Sequence, residues 1–467
     1  MSALAKKNKR YGLDLTEGSV QKVLLRFAWP FLVSGIITAM YGAVDMFVIS
    51  RYMQGEVISG VATGTMVIQI VYTFIIAIST GGTVLIGRKI GEKDDEGCAK
   101  GAGTLMTLGL FLGLLLTGLI FVALEPILKL MRTPVDALPH ARIYVRLAAT
   151  GIPFTVGFNI ISAIARGFGN STVPSIIGVI GAILHIILDL LFVAVLGMEE
   201  DGVAIATAIS QMTTLIIIGI WILKKRFPFA FHKHHFKPHG KSLVSIIKVA
   251  IPLWLQEILI HISFMVIMTI INDMGVVASA SVGLINRVFS LGAVIPSAVG
   301  SAIAAITAQN IGANKRARAL KSLKFGIIYC LIVEGLLVIW AQIAPEMITS
   351  FFAEGKQEVV IGAAAHLRSF SLDLLLVPII FCFNAYLNAC GKANFTMIHS
   401  LFGTFVVRVP FSFLFARIGN DVNHSLFLLG LTSPMATLAS LCICVPFMIW
   451  FERKQKQKDL ERLNERQ

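Results

Sequence analysis

Four side chains that could bind a cation lie inside long apolar stretches of this 467-residue chain: Asp45, His185, Asp189 and Thr207. Carboxylates and imidazole exchange protons, and carboxylate and hydroxyl oxygens also coordinate hard metal ions. A charge at the centre of a bilayer costs about 2.5 to 3.5 kcal/mol on insertion scales, so an ionisable residue there indicates a function. Two neighbouring carboxylates cannot both ionise cheaply without a cation. The residue types therefore predict a site for one proton or one sodium ion.

The positions of these residues along their predicted helices place them at one depth. Asp45 lies well after Pro30 on a helix that runs outward, and Asp189 stands at a comparable depth on another. His185 lies one helical turn before Asp189, so the two share a helix face. Thr207 lies within two turns of the outer start of the following helix. A buried polar cluster that only holds helices together is the alternative to an ion site.

A second set of polar residues belongs mostly to later apolar stretches. Glu257 and Arg287 are near mid-depth and could neutralise each other. Glu257 and Asp373 could instead bind an ion or attract a cationic substrate. Asn159 and Asn384 each end a Pro-x5-Asn pattern and complete this candidate substrate or ion site. The second half of the chain also holds three further ionisable residues in apolar stretches: His261, Glu334 and Arg408.

The composition requires a membrane around these residues. Hydrophobic residues make up 56% of the chain and charged residues only 14%, whereas soluble domains carry about 25% charged residues. A membrane-spanning helix needs about 20 apolar residues, so the fold class is an all-α polytopic membrane protein. Twelve spans are predicted near residues 24–50, 57–87, 98–124, 139–165, 173–197, 202–223, 245–271, 276–309, 321–344, 361–388, 393–417 and 424–451.

Lysine and arginine are concentrated in alternate loops, which predicts the orientation of the chain. Residues 88–100, 224–241, 315–321 and 453–458 are strongly basic, and the opposite loops carry few such residues. Both termini are therefore expected in the cytoplasm, with the spans in the cytoplasmic membrane. The net charge of +14 does not indicate a nucleic-acid partner, because the basic residues lie between apolar runs.

The two halves of the chain repeat each other. Pro30 recurs as Pro252 and Gly91 recurs as Gly312, at nearly the same offset along the chain. Six spans per half is an even number, so the halves should be related by a pseudo-two-fold axis along the membrane normal. The predicted division is a six-helix lobe at residues 1–223, a cytoplasmic linker at 224–244, a second six-helix lobe at 245–451 and a basic cytoplasmic tail at 452–467.

Six short stretches, in order and at the expected spans, resemble the multidrug and toxic compound extrusion (MATE) family of efflux transporters. The turn between spans two and three does not fit the major facilitator pattern, which is the other twelve-helix plan. The resembling stretches are Trp29-Pro30 with Val44-Asp45, Ser79 to Thr83 with Gly91, Arg166 to Asn170, Leu188-Asp189, Gly202 to Thr207 and Ala308 to Ala313.

The resemblance implies roles for individual residues. Asp45, Asp189 and Thr207 match the pattern of ion-binding residues in the family branch whose cation site lies in the N-terminal lobe, and Val203 would offer a backbone carbonyl. His185 departs from that pattern, where an asparagine is expected. Because imidazole titrates near physiological pH whereas sodium prefers oxygen ligands, the substitution favours protons.

The function implied by the resemblance is antiport. The chain is expected to export cationic amphipathic compounds in exchange for protons or sodium, by alternating access between the lobes. A bend of span one near Pro30 is a candidate moving part, or a static kink. No cofactor other than the coupling ion is expected, and the partners are small organic cations and membrane lipids around a monomer.

Two other functions compete with antiport. A flippase for a lipid-linked saccharide would need cationic residues to hold pyrophosphate, and the apolar stretches hold more acids than arginines. An intramembrane enzyme is disfavoured because no HExxH or Gly-x-Ser-x-Gly motif occurs and the loops are short. The histidine-rich run at 232–239 could bind a metal but is better interpreted as a solvated basic loop. No metal site is therefore expected.

Overall fold

The computed structural model describes residues 12–225, 227–352 and 356–464, and this part of the chain is helical with no strand. Ten helices are long and apolar enough to cross a membrane, and two bent helix pairs complete twelve candidate spans. The twelve predicted spans are therefore confirmed, with ends that differ by up to six residues except in span twelve, whose helix continues past residue 451. Spans one to twelve are Val20–Tyr52, Gly55–Glu92, Asp95–Leu130, Leu138–Thr150 with Ile152–Gly167, Thr172–Val195, Glu200–Lys225, Gly240–Asp273, Val276–Gly312, Arg316–Ile343, Gln357–Phe370 with Asp373–Ala389, Ala393–Ile418 and Val422–Asn464.

Spans four and ten are both broken. The two parts of span four meet at 42°, next to Gly151 and Pro153, and those of span ten meet at 48°, before Asp373. Pro153 supplies no backbone N–H, and it is tolerated because it lies in the first turn of the second part. Spans five and eleven each contain a π-helical segment, Leu190–Val195 and Gly403–Arg408. Such segments often mark functional sites, and the first one begins directly after Asp189.

The internal repeat is visible in the local backbone. Lys93 and Asn314, which follow the repeated glycines Gly91 and Gly312, both adopt left-handed conformations, with φ values of 58° and 57°. Gly169 and Gly391, which occupy equivalent places in the two halves, have φ values of 85° and 77°. Non-glycine residues rarely adopt positive φ. The turns that follow spans two and eight, and spans four and ten, therefore have matching conformations.

The chain forms two compact units. The first contains the described residues up to Trp254 together with Ser301–Ser322 and Ala389–Gly391, and the second contains Leu255–Gly300, Leu323–Asn388 and the residues from Lys392 onward. These units do not follow the predicted lobe boundaries, which stay a prediction. Span twelve continues as one helix to Asn464, so residues 452–464 of the predicted tail extend that helix.

The linker between the sequence halves folds against the first unit. Phe227, Phe229 and Phe231 form an aromatic cluster with Phe168. The backbone N–H of His239 donates to Thr104 Oγ1 at 3.0 Å. The described part of the linker is thus a packed segment.

Candidate functional site

The structure brings Asp45, His185 and Asp189 together. One ligand atom of each lies within 4.8 Å of the others, and His185 and Asp189 are 3% and 1% exposed. Spans one and five pack against each other, and the one-turn spacing directs both span-five side chains to the same face. Gly181 lies one turn before His185, and a Cβ at Gly181 would collide with Thr214 of span six. The absence of that side chain permits the close packing of spans five and six.

The Nε2 atom of His185 faces two hydroxyl groups. It lies 2.8 Å from Thr207 Oγ1 and 3.5 Å from the Tyr41 hydroxyl. Thr207 itself donates to the carbonyl oxygen of Val203 at 3.0 Å. A hydroxyl has only one proton to donate, so Thr207 accepts from His185 and Nε2 carries a proton.

The other ring nitrogen of His185 faces a carboxylate. Nδ1 lies 2.6 Å from Asp189 Oδ2. In the described part of the chain, neither atom has a well-oriented hydrogen bond, and Asp189 Oδ1 and Asp45 Oδ1 also have no partner. Buried polar atoms of this kind are normally paired. The four atoms therefore form a cluster that lacks a positive charge, and they can accept one.

The donor set fits a proton better than a metal ion. A proton between Nδ1 and Oδ2 would satisfy both atoms, either as imidazolium beside carboxylate or as imidazole beside carboxylic acid. A hard cation such as sodium prefers oxygen ligands, and here a nitrogen occupies one of the positions around the carboxylates.

Tyr41 belongs to the ion site although the sequence did not predict it there. Its ring lies edge-on to His185 with centroids 4.8 Å apart. The available signal was its position one turn before Asp45, which places it on the same face of span one. Pro30 lies inside the same continuous helix, Val20–Tyr52, so span one is not broken there.

A second buried cluster surrounds Asp373 in the second unit. Ser433 donates to Asp373 Oδ2 at 2.7 Å, and Arg408 Nη2 donates to Ser433 Oγ at 3.2 Å. The Arg408 guanidinium also lies 4.6 Å from the centre of the Phe264 ring. Glu334 is within electrostatic range of Asp373. The cluster thus contains two acids and one base.

Glu257 and Arg287 do not form the ion pair that was one of the two alternatives for them. Among the described residues these two side chains form no ion pair, and Arg287 is exposed. Glu257 interacts instead with His261, one turn later on the same helix. Sequence spacing predicts the depth of each residue but not the direction in which its side chain points.

The two predicted asparagines form hydrogen bonds within and between helices. The side chain of Asn159 donates to the Thr155 carbonyl at 2.9 Å, and the backbone carbonyl of Asn159 accepts from Ser79 Oγ at 2.9 Å. Asn384 Oδ1 lies 3.0 Å from His399 Nε2. Asn159 thus connects spans two and four, and Asn384 connects spans ten and eleven.

The histidine-rich linker brings Glu96, His234 and His235 within 4.8 Å. His235 Nδ1 accepts from the backbone N–H of His232 at 3.0 Å, and His235 Nε2 lies 3.4 Å from Glu96 Oε2. Because Nδ1 is the acceptor, Nε2 carries the proton and has no free lone pair for a metal. This arrangement favours a packed loop over a metal site.

Comparison with known sequences gives one family. A model of the MatE family matches residues 30–191 and 252–414, so the two matches begin at the repeated prolines Pro30 and Pro252. The probable multidrug resistance protein YoeA of Bacillus subtilis is 26% identical over 406 residues, which cover 85% of this chain and 88% of the relative. The multidrug export protein MepA of Staphylococcus aureus is 24% identical over 437 residues, with 92% and 93% coverage.

Solved structures share the fold. A multidrug resistance MATE family transporter in an outward-facing conformation superposes with a TM-score of 0.88 at 21% identity, over 95% of this chain and 99% of that one. A MOP superfamily transporter from Pyrococcus furiosus, described as having a binding pocket of reverse polarity that suggests a different function, superposes with a TM-score of 0.85 at 22% identity. That superposition covers 95% of this chain and 97% of the other.

Proposed function

Because the chain belongs to the MatE family of multidrug efflux transporters, we propose that it is a secondary antiporter that exports cationic amphipathic compounds in exchange for protons. It acts as a transporter rather than an enzyme, as a monomer in the cytoplasmic membrane with both termini in the cytoplasm. The relatives YoeA and MepA are named for multidrug resistance or export, which supports drug-like substrates.

The observation that carries proton coupling is the 2.6 Å separation of His185 Nδ1 and Asp189 Oδ2. Nε2 already donates to Thr207, so these two atoms need a second proton between them. Asp45 Oδ1 adds an acceptor without a partner among the described residues. A proton that enters the cluster is therefore bound, and removal of that proton leaves negative charge in a buried site.

The difference in charge between the protonated and the deprotonated cluster can couple proton movement to substrate export. The deprotonated cluster attracts a cationic substrate, and the protonated cluster does not. A ligand shifts a conformational equilibrium only through its different affinities for the two states. Protonation from outside would release the substrate and favour the inward-open state, and proton loss to the cytoplasm would restore the substrate-binding state, which gives alternating access.

The flippase for a lipid-linked saccharide or other amphipathic lipid is the second candidate. The Pyrococcus furiosus transporter, described as having a pocket of reverse polarity, indicates that pocket charge can differ on this fold. In this chain Arg287 is exposed and Arg408 is close to Asp373. The cluster of Asp45, His185 and Asp189 offers two carboxylates and no arginine for a pyrophosphate, which favours the export of cations.

Transport in liposomes tests the proposal. The purified protein is reconstituted, and uptake of a fluorescent organic cation is followed under an imposed proton gradient or an imposed sodium gradient. The wild type, Asp45→Asn and the exposed loop variant Asp136→Asn are compared. We expect transport driven by the proton gradient, lost in Asp45→Asn and retained in Asp136→Asn.

Two outcomes would contradict the proposal. Transport driven only by sodium would overturn proton coupling. No transport by folded wild-type protein under either gradient would favour the flippase, and a fluorescent lipid-linked saccharide would be the next substrate.

A further inference from the structure

Glu334 in span nine is a buried acid without a hydrogen-bond partner. Its side chain is 0% exposed, and among the described residues neither Oε1 nor Oε2 accepts or donates a hydrogen bond. An ionised carboxylate in such surroundings is strongly disfavoured unless a cation or several donors compensate it. Both oxygens therefore lack the compensation that an ionised carboxylate needs.

The neighbouring acid, Asp373, has groups close to it that stabilise a negative charge. It is the first residue of the helix Asp373–Ala389, directly after the bend of span ten, and the N-terminus of a helix stabilises negative charge. Its Oδ2 accepts from Ser433, its Oδ1 has no partner among the described residues, and Arg408 interacts with it electrostatically. Asp373 is therefore the acid of the cluster that has a hydrogen-bond donor and a nearby positive charge.

In the described part of the chain, no positive charge compensates Glu334. The charged side chain that acts on it is Asp373, which repels a second negative charge. Cys330, one turn earlier on span nine, is also buried and supplies no cation. A carboxyl group without a countercharge is less costly to bury in its neutral form, which carries a proton.

We propose that Glu334 is a second proton-binding site, located in the second compact unit, which loads and releases one proton per transport cycle. This inference rests on the proposed antiport. It adds a site to the cluster of Asp45, His185 and Asp189, and it assigns to Asp373 and Arg408, which are bridged by Ser433, the role of setting the charge around Glu334.

The composition of the cluster selects a proton over a sodium ion. The Arg408 guanidinium would repel a second fixed cation nearby. The Ser433 hydroxyl already donates to Asp373 and accepts from Arg408, and Thr437 donates to the Ser433 carbonyl at 3.2 Å. A proton needs only one carboxyl oxygen, whereas a metal ion needs several free oxygen ligands.

The bend in span ten offers a route to couple this proton to movement. Gln342 of span nine donates to the carbonyl of Arg368 at 2.6 Å and to Ser371 Oγ at 2.9 Å. Both acceptors lie shortly before Asp373 along the chain. Span nine, which carries Glu334, is thus attached to the break that positions Asp373. A change in the bend alters the distance between the two acids, and with it the proton affinity of Glu334.

Infrared difference spectroscopy of the full-length purified protein tests the site directly. A protonated carboxyl group absorbs at a C=O stretching frequency separate from that of a carboxylate. We expect this band in the wild type, its loss in Glu334→Gln and its retention in the exposed control Glu346→Gln. An unchanged band in Glu334→Gln would overturn the proposal. If Glu334→Gln fails to fold, Glu334→Asp should shift the band without removing it, and an unshifted band would again contradict the assignment.

Transport stoichiometry separates this inference from the proposed antiport. In liposomes, the number of protons exchanged per substrate should fall by one in Glu334→Gln, while proton-driven uptake persists. Loss of proton-driven uptake in the wild type would contradict the antiport, although the infrared band would still report on Glu334. Binding of radioactive sodium that disappears in Glu334→Gln would show a sodium site and overturn the proton assignment.

Discussion

Gly91 and Gly312, the glycines related by the internal repeat, lie where the ends of spans two and eight cross. A Cβ at Gly91 would collide with the carbonyl oxygen of Gln309, and a Cβ at Gly312 would collide with that of Arg88. Arg88 and Gln309 each lie one turn before the glycine of their own helix, so the repeat relates them as well. The contact is reciprocal, and each helix approaches the other through a position that has no side chain.

An alanine at either glycine should separate these helix ends. Forced overpacking typically costs about 1 to 3 kcal/mol, so we expect a lower thermal midpoint and slower transport for Gly91→Ala and Gly312→Ala. Gly118→Ala is the control, because nothing lies within 4 Å of a Cβ at that position. Equal behaviour of Gly91→Ala and Gly118→Ala in thermal unfolding would refute the close crossing.

Arg318 holds the segment that precedes span one. Its guanidinium donates to the carbonyls of Leu15, Glu17 and Gly18, with both Nη distances at 2.5 Å. Hydrogen bonds to charged groups contribute about 1.5 to 3 kcal/mol each. Arg318→Ala should therefore raise hydrogen exchange at residues 12–18 at least about tenfold, which corresponds to about 1.4 kcal/mol.

The guanidinium of Arg318 can bind three carbonyls at once because its N–H groups are arranged as a planar fork. Arg318→Lys should restore only part of the protection, since an ammonium group cannot reproduce the fork geometry. Lys321→Ala, at an exposed position on the same helix, should leave the segment unchanged. Protection at residues 12–18 that is unaffected by Arg318→Ala would show that other contacts hold the segment.

His185→Asn should change the choice of coupling ion. The substitution replaces a proton-exchanging ring by an amide, and it leaves Asp45 and Asp189 with oxygen neighbours that suit sodium. We expect proton-driven uptake to fall about tenfold or more, as a loss of about 1.4 kcal/mol or more would produce, with a gain in sodium-driven uptake. His261→Asn, at an exposed position, is the matched control. An unchanged ion preference in His185→Asn would show that the imidazole of His185 does not select the coupling ion.

Thr207 should contribute more than Tyr41 to proton-driven transport. Thr207→Val leaves the His185 Nε2 proton without its 2.8 Å acceptor, and an unsatisfied buried donor costs about 1 to 3 kcal/mol. Proton-driven transport should fall about fivefold to a hundredfold. Tyr41→Phe removes only a 3.5 Å contact and should have a much smaller effect, measured as initial uptake rates. A larger loss of transport in Tyr41→Phe than in Thr207→Val would mean that the main hydrogen-bond partner of His185 Nε2 is the Tyr41 hydroxyl.

The amino-acid sequence alone determined the membrane architecture and the composition of the first site. The cost of burying charge in lipid singles out Asp45 and Asp189, and the period of a helix places His185 beside Asp189. The twelve spans and the repeat follow from apolar runs and recurring glycine and proline positions, and each of these signals is local.

Only the tertiary structure decided which buried charges compensate each other. Glu257 and Arg287 share a depth in the sequence but form no ion pair in the described structure. Asp373, Arg408 and Glu334, in contrast, come from three different spans and form one cluster. The rotation of each helix about its axis is set by packing against its neighbours. Spacing along one helix carries no information about that rotation. The cluster of Asp373, Arg408 and Glu334 could therefore be identified only from the packed structure.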